Sequence, residues 1–551
     1  MNRYFCCLRQ GVATEAQKHR SEFVFSVSLS FRGNIKIPEG NKMNLSWLIK
    51  SESYRKGTVL SVLFNMLSKG ILFLMTIIIA RYFGSNIKTD IYFFVFGSML
   101  LFSGFINNID VAVLIPESMR LRERAGNDSA VSFLNFFLFI YFIIGIVFTL
   151  VMYFFGASVF GLISKFSEND ILIYHNYFWA GSLFFIFHLL TNYINTILTS
   201  LKYFSVPMLI SSIKSVIAIA FIFLLKAGYD VLSIFLAGLI SYAFNLVILI
   251  YVLKRTVGWK FKMRSTGISK RVWNNIFYAE LGQVATLASS MFPLYLLSGF
   301  GSGVISVMNY GKNIADIPNT LVTTQFANVS GIKLNEEFAR QDHVAMNGTF
   351  IKTSKLLVFI LVPISFYLFV FADPLVELFY HSRNFTPGAI AESAIFLQLL
   401  AVSIFSIGIN AMVTRVFIAV QAIKQAFLYQ VVLNVLLIAA IWIFTNKYGG
   451  YGYPYGLILV NMINYIGMYF ICKRLLVPVD YEVVLKYTGM IILINAAITA
   501  GIYVIAPFVN TGLVLNLIIC FMVHLTILLF LNKIFKLNAE LSSGIKMIKP
   551  F

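Results

Sequence analysis

The sequence predicts an all-α polytopic membrane protein of about fourteen transmembrane helices, with two six-helix lobes related by a pseudo-two-fold axis and two further C-terminal helices. Of the 551 residues, 59% are hydrophobic and only 12% are charged. The mean hydropathy is +0.82. Apolar runs of about 20 residues, the length that crosses a bilayer, recur along almost the whole chain. A soluble fold could not bury that much apolar surface.

Residues 1–42 differ from the rest of the chain. They carry seven basic residues and only short apolar pieces, without the apolar core and cleavage site of a signal peptide. Met43 opens a short segment directly before the first apolar run and would be a suitable N-terminus. We therefore expect residues 1–42 to be disordered or to be a non-native extension from an upstream start-site assignment.

Fourteen apolar runs follow this segment. The first seven are 58–80, 89–115, 131–155, 173–199, 204–225, 230–253 and 272–298. The next seven are 303–332, 355–373, 389–421, 427–445, 451–472, 486–508 and 511–531. The second, eighth and tenth runs are long, which predicts that they tilt or extend beyond the hydrocarbon core.

The distribution of basic residues predicts the topology. With Met43 in the cytoplasm, the predicted inner segments carry 26 Lys and Arg residues and the outer segments carry six. Cytoplasmic loops are enriched in these residues, so the bias supports an even number of spans with both termini inside. The same rule accounts for the net charge of +20, and we expect no nucleic-acid partner.

The two halves of the chain repeat each other. A polar hinge at 80–90 separates two apolar runs, and a second hinge at 299–303 does the same about 217 positions later. Basic turns after corresponding spans keep a similar offset. Basic turns recur in any polytopic protein, but the matched hinges favour a duplication, as in many secondary transporters.

The repeat divides the chain into segments. The N-lobe is predicted at 43–255 and the C-lobe at 272–474, joined by a basic cytoplasmic linker at 256–271. Residues 475–551 form the last two spans and a basic tail.

Small or helix-breaking residues mark the predicted hinges and gates. The two polar hinges share a Phe-Gly-Ser motif, which contributes Gly84 and Ser85 in one half and Gly301 and Ser302 in the other. Pro318 lacks a backbone donor and permits a bend in the eighth span.

No motif indicates an enzyme or a metal site. The six histidines are dispersed, the four cysteines form neither a C-x-x-C pair nor a disulfide framework, and no P-loop is present. We expect a transporter without catalytic function, cofactor or metal. Its cycle would run on the membrane potential, on a Na⁺ or H⁺ gradient, or downhill.

Ionisable residues within spans are the candidates for function, because a charge at the bilayer centre costs roughly 2.5–3.5 kcal/mol on insertion scales. Lys69 lies near the centre of the first span and Lys214 near the middle of the fifth. Lys312 and Asp316 lie four positions apart in the eighth span and share a helix face. Asp90 stands at the start of the second span.

Each candidate also has a structural explanation. Asp90 lies near an interface and can simply be solvated, and Lys312 can form a structural ion pair with Asp316. Lys69 and Lys214 are too deep to reach the interface easily, which favours a cavity. A cavity lined by Lys69 and Lys312, one from each half, would be electropositive and would suit a phosphate or pyrophosphate group.

Three stretches, 80–94, 310–318 and 378–386, resemble the MurJ/MviN family of lipid II flippases. The resemblance covers roughly residues 55–530. That family belongs to the MOP superfamily, which also holds polysaccharide flippases and MATE exporters. The resemblance implies fourteen helices in a V of two lobes, alternating access for an undecaprenyl-pyrophosphate-linked sugar, and a groove for the lipid tail at the last two spans.

The resemblance also implies roles for individual residues. Lys69 falls where the family has a cavity arginine, Asp90 matches an aspartate at the start of the second span, and Asp316 matches an acidic position of the eighth. Asn313 replaces the arginine of the eighth span, with Lys312 one residue earlier. We include Asn313 among the cavity residues.

Other positions depart from the family. Met75 and Thr76 stand in place of a basic–acidic pair, and 101–104 lacks the arginines expected midway along the second span. Lysines in place of arginines still favour anions but lose bidentate phosphate geometry.

Together these features predict a flippase for a polyprenyl-(pyro)phosphate-linked saccharide, foremost lipid II, in the bacterial cytoplasmic membrane. Its partners would be that anionic substrate and membrane lipids, and we expect a monomer. A flippase for another lipid-linked glycan (O-antigen, capsule or exopolysaccharide) is an alternative. A MATE-like cation-coupled drug exporter would require an acidic cavity, and a non-transporting scaffold would leave the buried lysines unexplained.

Overall fold

The structure, a computed structural model, describes residues 54–262, 268–420, 422–474, 479–506 and 512–538. Within these ranges the ordered elements are all helical. The expectations for residues 1–42 and Met43 lie outside the described residues. The segment boundaries predicted from the repeat stay predictions.

The N-lobe is defined here as helices α1–α9. These are α1 (Tyr54–Phe83), α2 (Ile87–Ile109), α3 (Ile115–Ala125), α4 (Asn127–Ile163), α5 (Glu168–Ile173), α6 (His175–Ser182), α7 (Phe184–Ser200), α8 (Ser205–Tyr229) and α9 (Leu232–Arg255). A π-helical turn at Asp110–Leu114 joins α2 to α3.

The C-lobe is defined as helices α10–α18, and α19 and α20 follow it. The C-lobe helices are α10 (Lys270–Leu297), α11 (Val304–Pro318), α12 (Thr324–Ala339), α13 (His343–Val370), α14 (Ala372–Tyr380), α15 (Pro387–Ala401), α16 (Ile404–Ala419), α17 (Ile423–Tyr448) and α18 (Gly452–Lys473). The last two are α19 (Tyr481–Ile505) and α20 (Leu513–Phe535). A second π-helical turn at Asn319–Thr323 joins α11 to α12.

A helix or a broken helix occupies each of the fourteen predicted runs, but the count of fourteen spans stays a prediction. Among the described residues, ten helices are long and apolar enough to span a bilayer, or eleven if the bent pair α15–α16 counts as one. Of these, α17 and α18 form one continuous apolar stretch, although a 3₁₀ turn at Gly449–Tyr451 separates them. Neither α10 nor the α11–α12 segment is among these helices, because both carry polar residues along their length.

The three long predicted runs are interrupted. The second and the eighth contain the two π-helical turns, and the tenth bends by 40° between α15 and α16. The tilt or protrusion of these runs stays a prediction.

Helix pairing repeats between the lobes. In the N-lobe α1 packs on α8, and α8 on α9, while in the C-lobe α10 packs on α17, and α17 on α18. Between the lobes, α2 contacts α10 and α11, and α1 contacts α11 and α14. The first helix pair of each lobe therefore forms the interface between the lobes.

Local sequence positions the first hinge turn. Gly84, with φ of 68°, follows α1 in the left-handed conformation that ends many helices. Asn86 then caps α2: its Oδ1 accepts the N–H groups of Lys88 and Thr89, and Thr89 Oγ1 accepts the N–H of Asn86. These contacts turn the chain within three residues.

We call the end of the bundle that holds the turns 84–86 and 298–303 the hinge end. The opposite end, which holds the turns 201–204 and 340–342, is the basic end.

Candidate functional site

A cavity of about 870 Å³ lies between the two lobes. Its walls come mainly from α1 and α2 of the N-lobe and from α10 and α11 of the C-lobe, with contributions from the second π-helical turn, α17 and α18. Lys69, Lys312, Asn313 and Asp316 all line it. The helices that the sequence analysis pairs by repeat thus bring four of its six candidate cavity residues to one space.

Lys69 contributes a positive charge from the N-lobe. Its side chain is exposed, and it has no hydrogen-bond or ion-pair partner among the residues that the structure describes. A lysine in a wide, water-accessible cavity avoids the cost of desolvation that burial in lipid would impose. Its ammonium group is therefore available to an anion.

Lys312 and Asp316 form a loose ion pair on α11. The distance between Lys312 Nζ and Asp316 Oδ2 is 3.6 Å, and the two side chains are 43% and 53% exposed. An ion pair this exposed contributes about 0–1 kcal/mol, so an incoming anion can displace Asp316 from Lys312 at little cost. The structure supports the structural alternative for this pair and leaves both groups reachable from the cavity.

Of the described residues lining the cavity, Lys69, Lys312 and Asp316 carry the formal charges, which leaves one net positive charge. Around these charges the wall is mainly apolar, with five aromatic residues and the two amides of Asn309 and Asn313. The aromatic residues are Phe73, Tyr92, Phe93, Phe96 and Tyr453. Rings present apolar faces with polar edges, and amides such as Asn313 can both donate and accept hydrogen bonds. The chemistry fits an anion attached to a polar, ring-containing group.

Asp90 lies outside this lining and joins the two lobes at the hinge end. It is 2% exposed. Its Oδ2 accepts the Gly303 N–H at 2.6 Å, and its Oδ1 accepts the Ser306 N–H and the Ser306 Oγ–H, both at 2.7 Å. Gly303 precedes α11 and has no side chain to cap it. An N-lobe carboxylate therefore caps a C-lobe helix, where the helix dipole also favours negative charge.

Further contacts close the hinge end around Gly84. The Tyr310 hydroxyl donates to the Gly84 carbonyl at 2.9 Å, and the Asn384 amide donates to the Tyr82 carbonyl at 2.8 Å. Arg81 donates to the carbonyls of residues 378 and 379. A Cβ on Gly84 would stand 2.1 Å from the Asn384 carbonyl oxygen, so only glycine fits there.

Lys214 also lies outside the cavity lining. Its Nζ stands 3.9 Å from the centroid of the Tyr242 ring, between α8 and α9 inside the N-lobe. A cation over an aromatic face is stabilised there without an anionic partner. The sequence analysis assigns Lys214 and Asp90 to the cavity because both are charged residues within predicted spans, and depth alone does not tell which neighbour a side chain faces.

The predicted hinge residues fall at turns. Ser85 lies in the first hinge turn and approaches Gly303 of the second. Gly301 and Ser302 are exposed in the second hinge turn. Pro318 is buried at the end of α11, directly before the second π-helical turn.

Sequence reasoning missed most of the hinge-end contacts. Arg81, Ser306, Tyr310 and Asn384 were not singled out as site residues, although three of them stand within or beside the resembling stretches. The signal for Ser306 is the uncapped Gly303 three residues before it, since a helix that starts without a side-chain cap needs an acceptor from elsewhere.

Among the described residues, no group of three or more His, Cys, Asp or Glu side chains could hold a metal ion. Glu280, on α10, is half-buried, and its carboxylate oxygens find no hydrogen-bond partner in the described part of the chain.

Comparison with known sequences gives consistent matches over most of the chain. The family model described as lipid II flippase MurJ matches residues 79–531. A probable lipid II flippase MurJ of Borreliella burgdorferi is 22% identical over 440 residues, which cover 78% of this chain and 85% of that protein. One from Buchnera aphidicola subsp. Schizaphis graminum is 23% identical over 389 residues, covering 67% and 73%.

Solved structures share the fold. A lipid II flippase MurJ in an inward closed conformation superposes with a TM-score of 0.71 at 18% identity, covering 87% of this chain and 97% of that one. A multidrug resistance MATE family transporter of the MOP superfamily, in an inward-facing conformation, superposes with a TM-score of 0.59 at 16% identity, covering 81% and 96%. At these identities the likeness concerns the fold alone.

Proposed function

The chain belongs to the lipid II flippase MurJ family, and on that premise we propose that it moves a polyprenyl-pyrophosphate-linked saccharide, foremost lipid II, from the inner to the outer leaflet of a bacterial cytoplasmic membrane. The observation that carries the proposal is the cavity between the lobes, which holds one lysine from each lobe and is closed at the hinge end.

In the proposed cycle, the head group enters the cavity from the cytoplasm while the hinge-end contacts keep the outer side closed. Lys69 and Lys312 bind the pyrophosphate, and Asp316 gives up its loose pairing with Lys312. The aromatic and amide side chains contact the sugar rings. The lobes then separate at the hinge end, and the polyprenyl tail stays in the bilayer throughout.

The basic end is the cytoplasmic side in this proposal, as the excess of Lys and Arg in those turns predicts. The chain acts as a monomeric transporter without a catalytic step. After the substrate has left, the cavity carries one net positive charge. A membrane potential or a gradient of Na⁺ or H⁺ then drives the empty protein back to the inward-open conformation.

A flippase for another lipid-linked glycan is the second candidate, and one observation favours it. Lysines and amides occupy the cavity where bidentate arginines would recognise pyrophosphate with fixed geometry. The cavity therefore accepts a phosphate or pyrophosphate anion on several head groups.

A MATE-like drug exporter shares the fold but fits the cavity poorly. Cationic drugs need acidic partners, and the one carboxylate among the described lining residues, Asp316, already pairs with Lys312.

Depletion of the protein tests the substrate. Lipid II exposure at the outer leaflet would be measured with a membrane-impermeant reagent before and after depletion, in cells that have no second flippase. The proposal expects exposure to fall at least tenfold. Unchanged lipid II exposure would exclude lipid II as the substrate, and a parallel fall in the exposure of another lipid-linked glycan would establish the second candidate.

A further inference from the structure

We propose that the two π-helical turns, Asp110–Leu114 and Asn319–Thr323, are paired hinges at which α3 bends relative to α2, and α12 relative to α11, to open the cavity at the basic end. The inference rests on the proposed alternating-access function. It concerns which part of the chain moves, whatever the head group.

Both turns have the hydrogen bonding of a true π turn. The N–H of Ile115 donates to the carbonyl of Asp110, and the N–H of Thr324 donates to the carbonyl of Asn319, each five residues back. Such a turn holds one residue more than the α-helix around it and is weaker in hydrogen bonding. Both turns stand beside a proline, which lacks the N–H that an α-helix would use.

Packing partners change at these turns. Before its turn, α2 contacts α10 and α11 of the opposite lobe as well as α6 and α7 of its own, and α11 contacts α1 and α2 of the opposite lobe as well as α15 of its own. After its turn, α3 packs on α4 and α7 of its own lobe, and α12 packs on α13 and α16 of its own lobe. Each π turn therefore lies where a helix parts from the other lobe.

Polar contacts tie the first turn to its own lobe, and the second turn has a hydrogen bond within it and packs closely on α16. The Asp110 carboxylate, which is fully buried, accepts hydrogen bonds from the Tyr141 hydroxyl at 2.6 Å and from the Asn107 amide at 2.9 Å. In the other lobe Thr323 Oγ1 donates to Asn319 Oδ1 at 3.0 Å. Gly408 of α16 allows close approach there, since a Cβ on it would stand 3.2 Å from Thr323 Oγ1.

The second turn also reaches the cavity. Thr320 and Leu321 line it, and Asp316 precedes the turn by three residues. A shift from π to α winding would rotate these side chains relative to Lys312. Bending and rearrangement of the cavity wall are therefore coupled in the C-lobe, whereas the N-lobe turn lies farther along its helix than the lining residues of α2.

The experiment uses what we call the cavity-cysteine assay. Thr76, which lines the cavity, is replaced by cysteine in the full chain with Cys6 and Cys7 changed to serine. The other two cysteines, Cys472 and Cys520, are buried. Labelling rates with a membrane-impermeant maleimide are measured from each face in right-side-out and inside-out vesicles.

Deletion of Ala112 or of Val322 removes the extra residue and restores α winding while the flanking helix faces keep their register. We expect labelling from the basic-end face to fall at least tenfold in each deletion variant. The matched controls Ala112→Val and Val322→Ala keep the turn length and should label like the parent. Unchanged labelling from the basic-end face in folded deletion variants would overturn the proposal.

Proline variants provide a second test in case the deletion variants fail to fold. Pro116→Ala and Pro318→Ala supply the missing N–H donors and should lower basic-end labelling about threefold, and no change in both would also overturn the hinge assignment. If the parent protein labels from one face only, alternating access itself fails. If instead the parent and all variants label equally from both faces, only the hinge assignment fails and alternating access stands.

Discussion

The charges of the cavity come from single residues whose surroundings differ. Lys69 is unpaired among the described residues, Lys312 is loosely paired, and Lys214 is held over an aromatic ring away from the cavity. All three look alike in the sequence as lysines deep in apolar runs. Only the first two can meet a substrate in this structure.

Replacement of either cavity lysine should therefore weaken transport strongly, and replacement of Lys214 should not. A charged hydrogen bond contributes about 1.5–3 kcal/mol. We expect Lys69→Ala and Lys312→Ala each to weaken transport by roughly ten- to hundredfold, since 1.4 kcal/mol is a factor of about ten. Lys69→Arg should retain transport. Flippase activity in vesicles, normalised to inserted protein, is the measurement.

Lys214→Ala is the matched control, because it removes a lysine of similar depth that faces the N-lobe interior. It should lower the free energy of unfolding by about 0.5–2 kcal/mol through the lost cation–π contact, with transport retained. Normal transport in both cavity variants would refute the cavity assignment.

Sequence reasoning reached the cavity residues but not the hinge-end contacts. Lys69, Lys312 and Asp316 could be assigned because a charge in an apolar run has few explanations, and Asn313 because it stands where the resembling family has an arginine. Tyr310 and Asn384 could not, because tyrosine and asparagine near a membrane surface need no special role and their partners lie 226 and 302 positions away.

At the scale of the element, the N-terminus of α11 depends on the other lobe. Three donors from Gly303 and Ser306 converge on Asp90, and α11 has no side-chain cap of its own. The assignment of Asp90 to the cavity followed from its charge. Its position in the first turn of α2, facing a helix that begins with glycine, shows why it acts as a cap.

Asp90→Ala should remove the cap that holds the N-terminus of α11 against the N-lobe. Each buried N–H left without an acceptor costs about 1–3 kcal/mol in the closed hinge end, and water satisfies both groups once the lobes separate. We expect labelling from the hinge-end face in the cavity-cysteine assay to rise at least tenfold.

Asp342→Ala provides the comparison. Asp342 accepts the Ala345 N–H at 2.9 Å and caps α13 within one lobe at the basic end. Its loss should cost about 1 kcal/mol of stability without raising hinge-end labelling. Equal labelling in the two variants would show that Asp90 supports only its local fold.

The sequence predicted a helix best where the length of an apolar run alone determines that the helix is uninterrupted. The run at 131–155 becomes the uninterrupted α4, whereas the run at 303–332 becomes α11, a π turn and α12. The break follows from Pro318 and from packing against two lobes in succession. The sequence shows the proline, but the change of partner belongs to the tertiary structure.

At the scale of the whole molecule, the three stretches that carry the family resemblance meet at the hinge end. Tyr310, from the second stretch, donates to Gly84 in the first, and Asn384, from the third, donates to Tyr82. Segments far apart in the chain thus together close the hinge end between the lobes. The duplication was predictable from the hinges, but which end is closed was not, because closure depends on contacts between residues far apart in the chain.

Removal of one of the hydrogen bonds that close the hinge end should measurably shift the balance between conformations. Tyr310 is fully buried, and its hydroxyl makes an inter-lobe bond of 2.9 Å. A neutral hydrogen bond contributes about 0.5–1.5 kcal/mol. Tyr310→Phe should therefore raise hinge-end labelling in the cavity-cysteine assay by about two- to twelvefold. Asn384→Ala in the same chain should raise labelling further, since it removes a second hydrogen bond between the lobes.

Tyr367→Phe separates this shift from a general loss of stability. The buried Tyr367 hydroxyl donates to the Leu517 carbonyl at 2.8 Å, a bond of similar length that joins α13 to α20 and does not cross between the lobes. This variant should lose a similar amount of stability while hinge-end labelling stays at the parental rate. If Tyr367→Phe raised labelling as much as Tyr310→Phe, the hinge-end bonds would be structural supports like any other, and closure would have to depend on packing between the lobes.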